Sequence, residues 1–97
     1  MEQALRAIAD PGRRQILVLV RDRERAAGEI AAEFPVSWPA ISQHLRVLRE
    51  AGLVSERREG TKRFYRARPE GLRDVRVFLD GFWDERLMDL KREVEGG

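Results

Sequence analysis

The 97-residue chain has no cysteine, a single histidine, and no apolar run long enough to cross a bilayer. Without thiols it makes no disulfide, binds no metal through thiolate and senses no redox change by itself. The N-terminus shows no basic-apolar leader, so the expected setting is cytoplasmic, with no membrane partner. One imidazole with no thiolate would need several carboxylates to hold a metal, a donor set for hard cations that a helix organises poorly. No metal site and no cofactor are therefore expected. His44 also lacks the serine or cysteine and the acid that a hydrolytic triad requires, so no enzyme is expected.

What the chain does have is an uneven distribution of charge. The net charge is only +2. Within residues 55–68, however, Arg57, Arg58, Lys62, Arg63, Arg66 and Arg68 face only Glu56 and Glu59, whereas residues 69–97 hold 5 basic and 8 acidic groups. A basic patch confined to one segment is how a nucleic-acid face is kept local, and the modest total argues against a protein that coats DNA generally. A chain this short buries roughly 65% of its unfolded surface, so extra burial through self-association would help its stability. There are no internal repeats, low-complexity stretches or linkers, and residues 1–97 are read as one domain.

Ala4, Leu5 and Ile8 recur at helical spacing up to Asp10-Pro11, where Pro disfavours helical geometry in the residue before it. Asp10 then caps a second helix with Pro11 at its first position, and the run Ile16–Val20 implies that much of that helix is buried. Polar residues Arg21–Arg25 close it. A short helix is expected over Ala26–Phe34, ended by Pro35, with Ile30 and Phe34 on one face. Ser37 is placed as the next N-cap, and Ile41, Leu45 and Leu48 point inward from the helix Trp38–Glu50 at i, i+4, i+7. Two strands follow, joined around Glu59-Gly60-Thr61. From Pro69 to about Glu93 one long helix is expected, carrying a stripe of Leu72, Val75, Leu79, Phe82, Trp83, Leu87, Leu90 and Val94. At 1.5 Å per residue it would extend about 37 Å, more than a small domain covers by itself. The expected fold is mainly α with a small β-hairpin: a winged helix-turn-helix of about five helices plus a two-stranded wing.

That order of short helix, tight connection, polar-faced helix and basic hairpin is a device for DNA reading. Gln43 can pair with adenine, Arg46 with guanine or phosphate, and Ser42 with either kind of group. Trp38 and Pro39 offer apolar contact, to a thymine methyl for example, though Trp38 equally suits packing against a neighbouring helix or the wing. Ser37, His44 and Arg49 on or beside the helix, with Arg57, Arg58, Lys62 and Arg63 of the wing, are candidates for phosphate contact, and His44 also suits a capping role. Phe64 and Tyr65 alternate in a strand, so one of them should face the core. Leu5, Ile8, Leu72, Val75, Leu79, Phe82, Trp83, Leu87 and Leu90 are candidates for a homodimer interface. The pair Phe82-Trp83 also admits a second reading, a pocket for a small apolar effector whose binding releases DNA. Asp80 and Asp84, one turn apart, are simplest as solvated acids.

The strings Ala9-Asp10-Pro11-Gly12-Arg13-Arg14-Gln15-Ile16-Leu17 and Ser42-Gln43-His44-Leu45-Arg46-Val47-Leu48-Arg49-Glu50-Ala51-Gly52-Leu53-Val54 resemble the ArsR/SmtB family of bacterial repressors. The resemblance runs from about Ala4 to Leu90. It implies a homodimeric winged-helix repressor on double-stranded DNA in the bacterial nucleoid, often controlling its own operon, with first and last helices pairing across the two-fold axis. Metal-sensing members carry cysteines in the helix matching Ala26–Phe34, or His/Asp sets on the final helix. This chain has Ala27, Gly28, Ile30, Ala31 and Ala32 in the former and no histidine in the latter, so it is similar to the non-metal branch. Trp38-Pro39 stands where many relatives carry polar base-contacting residues, so base preference does not carry over there.

Overall fold

In the computed structural model, which describes residues 1–83, the chain runs α1 (Glu2–Ala9), α2 (Pro11–Leu19), β1 (Arg25–Ala26), α3 (Ala27–Ala32), α4 (Trp38–Glu50), β2 (Val54–Glu59) and β3 (Lys62–Ala67). A 3₁₀ turn over Pro69–Leu72 leads into α5 (Arg73–Asp80), followed by a second 3₁₀ turn over Gly81–Trp83. Among the described residues there are thus five α-helices and a three-stranded antiparallel sheet of order β1-β3-β2.

Local chemistry explains the boundaries. Asp10 caps α2, its Oδ2 accepting from the Arg13 backbone N–H at 3.0 Å, with Pro11 in the first turn where no amide is needed. Ser37 caps α4 in the same way, its Oγ accepting from the Ala40 N–H at 3.4 Å. At the other end of α4, Gly52 takes φ 76°, which L-residues rarely adopt. That conformation lets the Leu53 N–H close back on the Leu48 carbonyl at 2.9 Å and turns the chain straight into β2. The α1–α2 corner is held by two arginines that the sequence reading left unassigned. Arg13 donates to the carbonyls of Ala7 (2.7 Å) and Arg6 (3.0 Å), and Arg14 to those of Ile8 (2.7 Å) and Ala9 (3.2 Å). These are carbonyls that the end of α1 leaves without intrahelical partners, and cations are favoured there.

The core is one cluster. Ala4 and Ala7 of α1, Ile16 and Val20 of the α2 segment, Ile30 of α3, Ile41, Leu45 and Leu48 of α4, Leu53, Val54, Tyr65 and Val75 are all buried. The inward triplet of α4 thus packs as the i, i+4, i+7 spacing requires, leaving the opposite face of that helix to solvent.

The structure corrects the sequence reading at four places. The sheet gains a third strand, because Arg25 and Ala26 pair with Tyr65 and Phe64; two residues are too few to show a period in sequence. The helix expected over Ala26–Phe34 spans only Ala27–Ala32, since Pro35 makes helical geometry unfavourable just before it. Val18 of the apolar run is exposed. The segment from Pro69 is not one α-helix: 3₁₀ turns flank α5, and Gly81, a poor helix former, stands at the second junction. Its expected stripe divides too. Val75 is buried within its own chain, and Leu72 is half-buried against the same core. Leu87, Leu90 and Val94, the end of the long helix at Glu93, and Asp84 lie outside the described residues.

Candidate nucleic-acid interface

On α4 the residues between the buried positions form the exposed row Ser42, Gln43, Arg46 and Arg49, with Trp38 and Pro39 exposed at its N-terminal end. Gln43 has no hydrogen-bond partner among the described residues. Arg46 makes an i,i+4 contact with Glu50 at 3.2 Å, a surface pair that is readily exchanged. Ser37 stays exposed beside the row while its oxygen serves as the cap.

The wing is a regular hairpin in the register Glu59↔Lys62 to Val54↔Ala67, turning through Gly60-Thr61 with φ 61° at Gly60. Alternation sorts its side chains onto two faces. Val54, Glu56 and Arg58, opposite Ala67, Tyr65 and Arg63, form the face turned to α4; Ser55, Arg57 and Glu59, opposite Arg66, Phe64 and Lys62, form the other. Tyr65 is buried and Phe64 half-buried, so the strand alternation placed one aromatic in the core and the other on the wing. Between α3, α4 and the wing tip lies a concavity of about 710 Å³, with Gly28, Trp38, Ser42, Thr61, Lys62 and Arg63 among its lining.

The arginines of this surface are not equivalent. Arg57 is held by Glu24 from the segment before β1, at 2.5 and 3.2 Å, and by Glu59 at 2.9 Å, while its guanidinium carbon sits 4.6 Å from the Phe64 ring centroid. These hydrogen bonds, from Glu24 first and then Glu59, push the guanidinium pKa upward; the bond from Arg57 in turn lowers that of Glu24. In the structure Arg57, a candidate for phosphate contact, ties the wing to the α2–β1 connection through two carboxylates and an aromatic face. Arg58 and Arg63, from the α4-facing side of the hairpin, and Arg49 of α4 converge on Glu56. Among the described residues no carboxylate pairs with Lys62, which stands at the wing tip beside the groove.

His44 lies half-buried against the start of α2. Its Nε2 is 3.9 Å from Asp10 Oδ2 and its Nδ1 3.5 Å from Arg13 Nη1. An arginine can only donate, so this arrangement suits a ring that accepts at Nδ1 and turns Nε2–H toward Asp10. The hydrogen bond from the Arg13 backbone, with weaker attraction from His44 and Arg13, outweighs desolvation and lowers the Asp10 pKa. His44 thus faces the α1–α2 corner rather than standing on the exposed row. A Cβ on Gly12 would come 3.0 Å from Asp10 Oδ2 and 3.3 Å from His44 Nε2, which keeps this corner closely packed.

Away from the α4–wing surface, α5 presents a different chemistry. Val77, Phe78, Leu79, Phe82 and Trp83 are 44–65% exposed, with Phe78–Phe82 and Phe82–Trp83 in edge-to-face contact at 5.3 and 6.4 Å between centroids. Val77 and Phe78 were not part of the expected stripe. Leu5 is exposed and Ile8 half-buried on α1. Among the described residues no three His, Cys, Asp or Glu side chains gather as a metal site would need, and no helix is long and apolar enough to cross a membrane.

Comparison with known proteins gives this geometry a context. Residues 10–56 match the family model described as bacterial regulatory protein, arsR family. The chain is 45% identical to the HTH-type transcriptional regulator Rv2034 of Mycobacterium tuberculosis over 89% of its own length and 80% of that protein. It is 39% identical to the transcriptional repressor SdpR of Bacillus subtilis over 93% and 100% of the two chains. Among solved structures, a possible transcriptional regulator for arsenical resistance aligns with TM-score 0.75 and 44% identity over 96% of each chain. The homodimeric winged helix-turn-helix DNA-binding domain of Mb0332 from Mycobacterium bovis aligns with TM-score 0.67 and 35% identity, covering 81% of this chain and 77% of that one.

Proposed function

The chain belongs to the arsR family of bacterial regulatory proteins, and we propose that it is a homodimeric transcriptional repressor that reads an inverted-repeat operator, its own promoter or that of an adjacent operon. The observation that carries the reading is the exposed row Ser42-Gln43-Arg46 on α4, set beside a basic wing with an open groove between them. In this role α4 enters the major groove, where Gln43 and Arg46 meet base edges and Trp38 and Pro39 offer apolar contact at the helix start. A phosphodiester strand then lies between α4 and the hairpin, within reach of Arg49, Arg58, Lys62 and Arg63. The apolar side of α5, with Leu5 and Ile8 of α1, supports assembly into a two-fold dimer, an isologous interface that presents two such helices to successive grooves. Relatives that are named repressors, and a neighbour described as homodimeric, agree with both halves of the proposal.

Sedimentation of the purified protein with a duplex covering the upstream region of its own gene tests it. Two chains per duplex, competed poorly by scrambled DNA, are expected. A single bound chain, or equal competition by scrambled DNA, would contradict the proposal.

A further inference from the structure

Glu56 sits on the α4-facing side of the wing with its side chain only 9% exposed. Its Oε2 accepts from Arg49 Nη1 of α4 at 2.5 Å, and its Oε1 accepts from Arg58 Nε of β2 at 3.1 Å. Arg63 Nε of β3 lies 4.0 Å from the same Oε1. One carboxylate thus gathers three guanidinia, one from the reading helix and two from the hairpin. Burial by itself would raise the Glu56 carboxyl; the hydrogen bonds from Arg49 and Arg58 outweigh it and hold the carboxyl below the ordinary carboxylate range. The cluster is therefore ionised at neutral pH and carries a surplus of positive charge.

We propose that Glu56 is a positioning residue for DNA specificity: it fixes the wing against α4 through Arg49, and it draws on Arg58 and Arg63 so that a phosphate engaging them competes with a carboxylate. This rests on the DNA-reading role above. Binding to arbitrary sequence draws almost wholly on phosphate contact and counterion release. Where such contacts compete with Glu56, that mode is weakened. Operator binding also draws on base contacts from α4, which Glu56 does not touch, and it benefits from a wing already set at the correct distance from the helix. The carboxylate therefore lowers non-specific affinity more than operator affinity, and its effect is to raise their ratio.

The test compares wild type and Glu56→Gln on two duplexes of equal length, one recovered with the protein from cells and one scrambled, across a salt series, with thermal melts to establish folding. With the carboxylate neutralised, affinity for the scrambled duplex should rise. The slope of log K against log salt should steepen by roughly 0.9 per phosphate newly engaged, worth about eightfold in affinity at 0.1 M salt. Operator affinity should change less, so the ratio should fall several-fold. A role confined to propping up the wing would lower both affinities together and leave the slope no steeper; that result overturns the proposal, as does an unchanged ratio. Should Glu56→Gln fail to fold, Glu56→Asp, which withdraws the charge by one methylene, must shift slope and ratio in the same direction, and no shift overturns the proposal. A folded wild type that does not distinguish the two duplexes would overturn the DNA-reading role and this inference with it, whereas discrimination by wild type with an indistinguishable variant removes this inference alone.

Discussion

Gln43 projects from the middle of α4 with no partner inside the chain among the described residues, so its amide is free for an adenine edge. Gln43→Ala should cost about 1–3 kcal/mol of operator affinity and leave scrambled DNA almost unaffected, as measured by fluorescence anisotropy; an equal loss on both would remove Gln43 from base reading. Carboxylates make a second prediction at this scale. Asp10, Glu24 and Glu56 all have lowered pKa values in the folded chain. A group depressed on folding stabilises the native state above its unfolded value, about 4 for these acids, and that contribution fades as pH falls through the lower folded value. The melting temperature should therefore hold between neutrality and about pH 5 and drop below about pH 4, with a shallower drop in Glu56→Gln. Parallel profiles for the two proteins would show that Glu56 contributes nothing to acid sensitivity.

At the scale of elements, the proposed function gives the wing and α4 different tasks. Replacing Arg58, Lys62 and Arg63 with glutamine should weaken binding to every duplex and flatten the salt dependence, by roughly 0.9 in slope for each phosphate no longer neutralised. Arg57→Gln should instead loosen the hairpin from the Glu24 segment, lowering the melting temperature with little change in slope; a flatter slope from Arg57→Gln alone would return that side chain to the phosphate. This contrast shows where sequence was legible and where it was not. The inward triplet Ile41, Leu45 and Leu48, the caps Asp10 and Ser37 and the hairpin turn are local patterns, each contained within a few residues, and all stand in the structure where the spacing put them. Partners far apart along the chain leave no such trace. Glu24 meets Arg57 across 33 residues, and Arg13 reaches His44 across 31, so charge counting recorded a free basic surface where several cations are already engaged. The strand β1 escaped for a related reason: a two-residue element is defined by its partner β3, not by its own period. In α5 the apolar positions outnumber those one face can hold, and only packing shows that Val75 turns inward while Val77 and Phe78 stay out.

For the whole molecule, assembly and DNA reading are one problem. Five large apolar side chains from Val77 to Trp83 stand at least 44% exposed, a cluster of the kind that marks an interaction surface. In the proposed dimer, burying it about a two-fold axis would set two α4 helices about 34–36 Å apart, one turn of DNA, while a single protomer would hold one half-site weakly. Leu79→Glu combined with Trp83→Glu should give monomers by sedimentation and abolish operator binding while leaving α4 untouched; a double variant that remains dimeric would free α5 from this role. The central claim is that a pair of α4 helices selects a two-fold sequence, and genome-wide mapping of sites bound by the tagged protein tests it most directly. The account predicts a few sharp sites sharing an inverted repeat whose half-sites lie about 10 base pairs apart, centre to centre, or a multiple of that. Broad occupancy with no shared motif, or no enrichment over an untagged control, would contradict it.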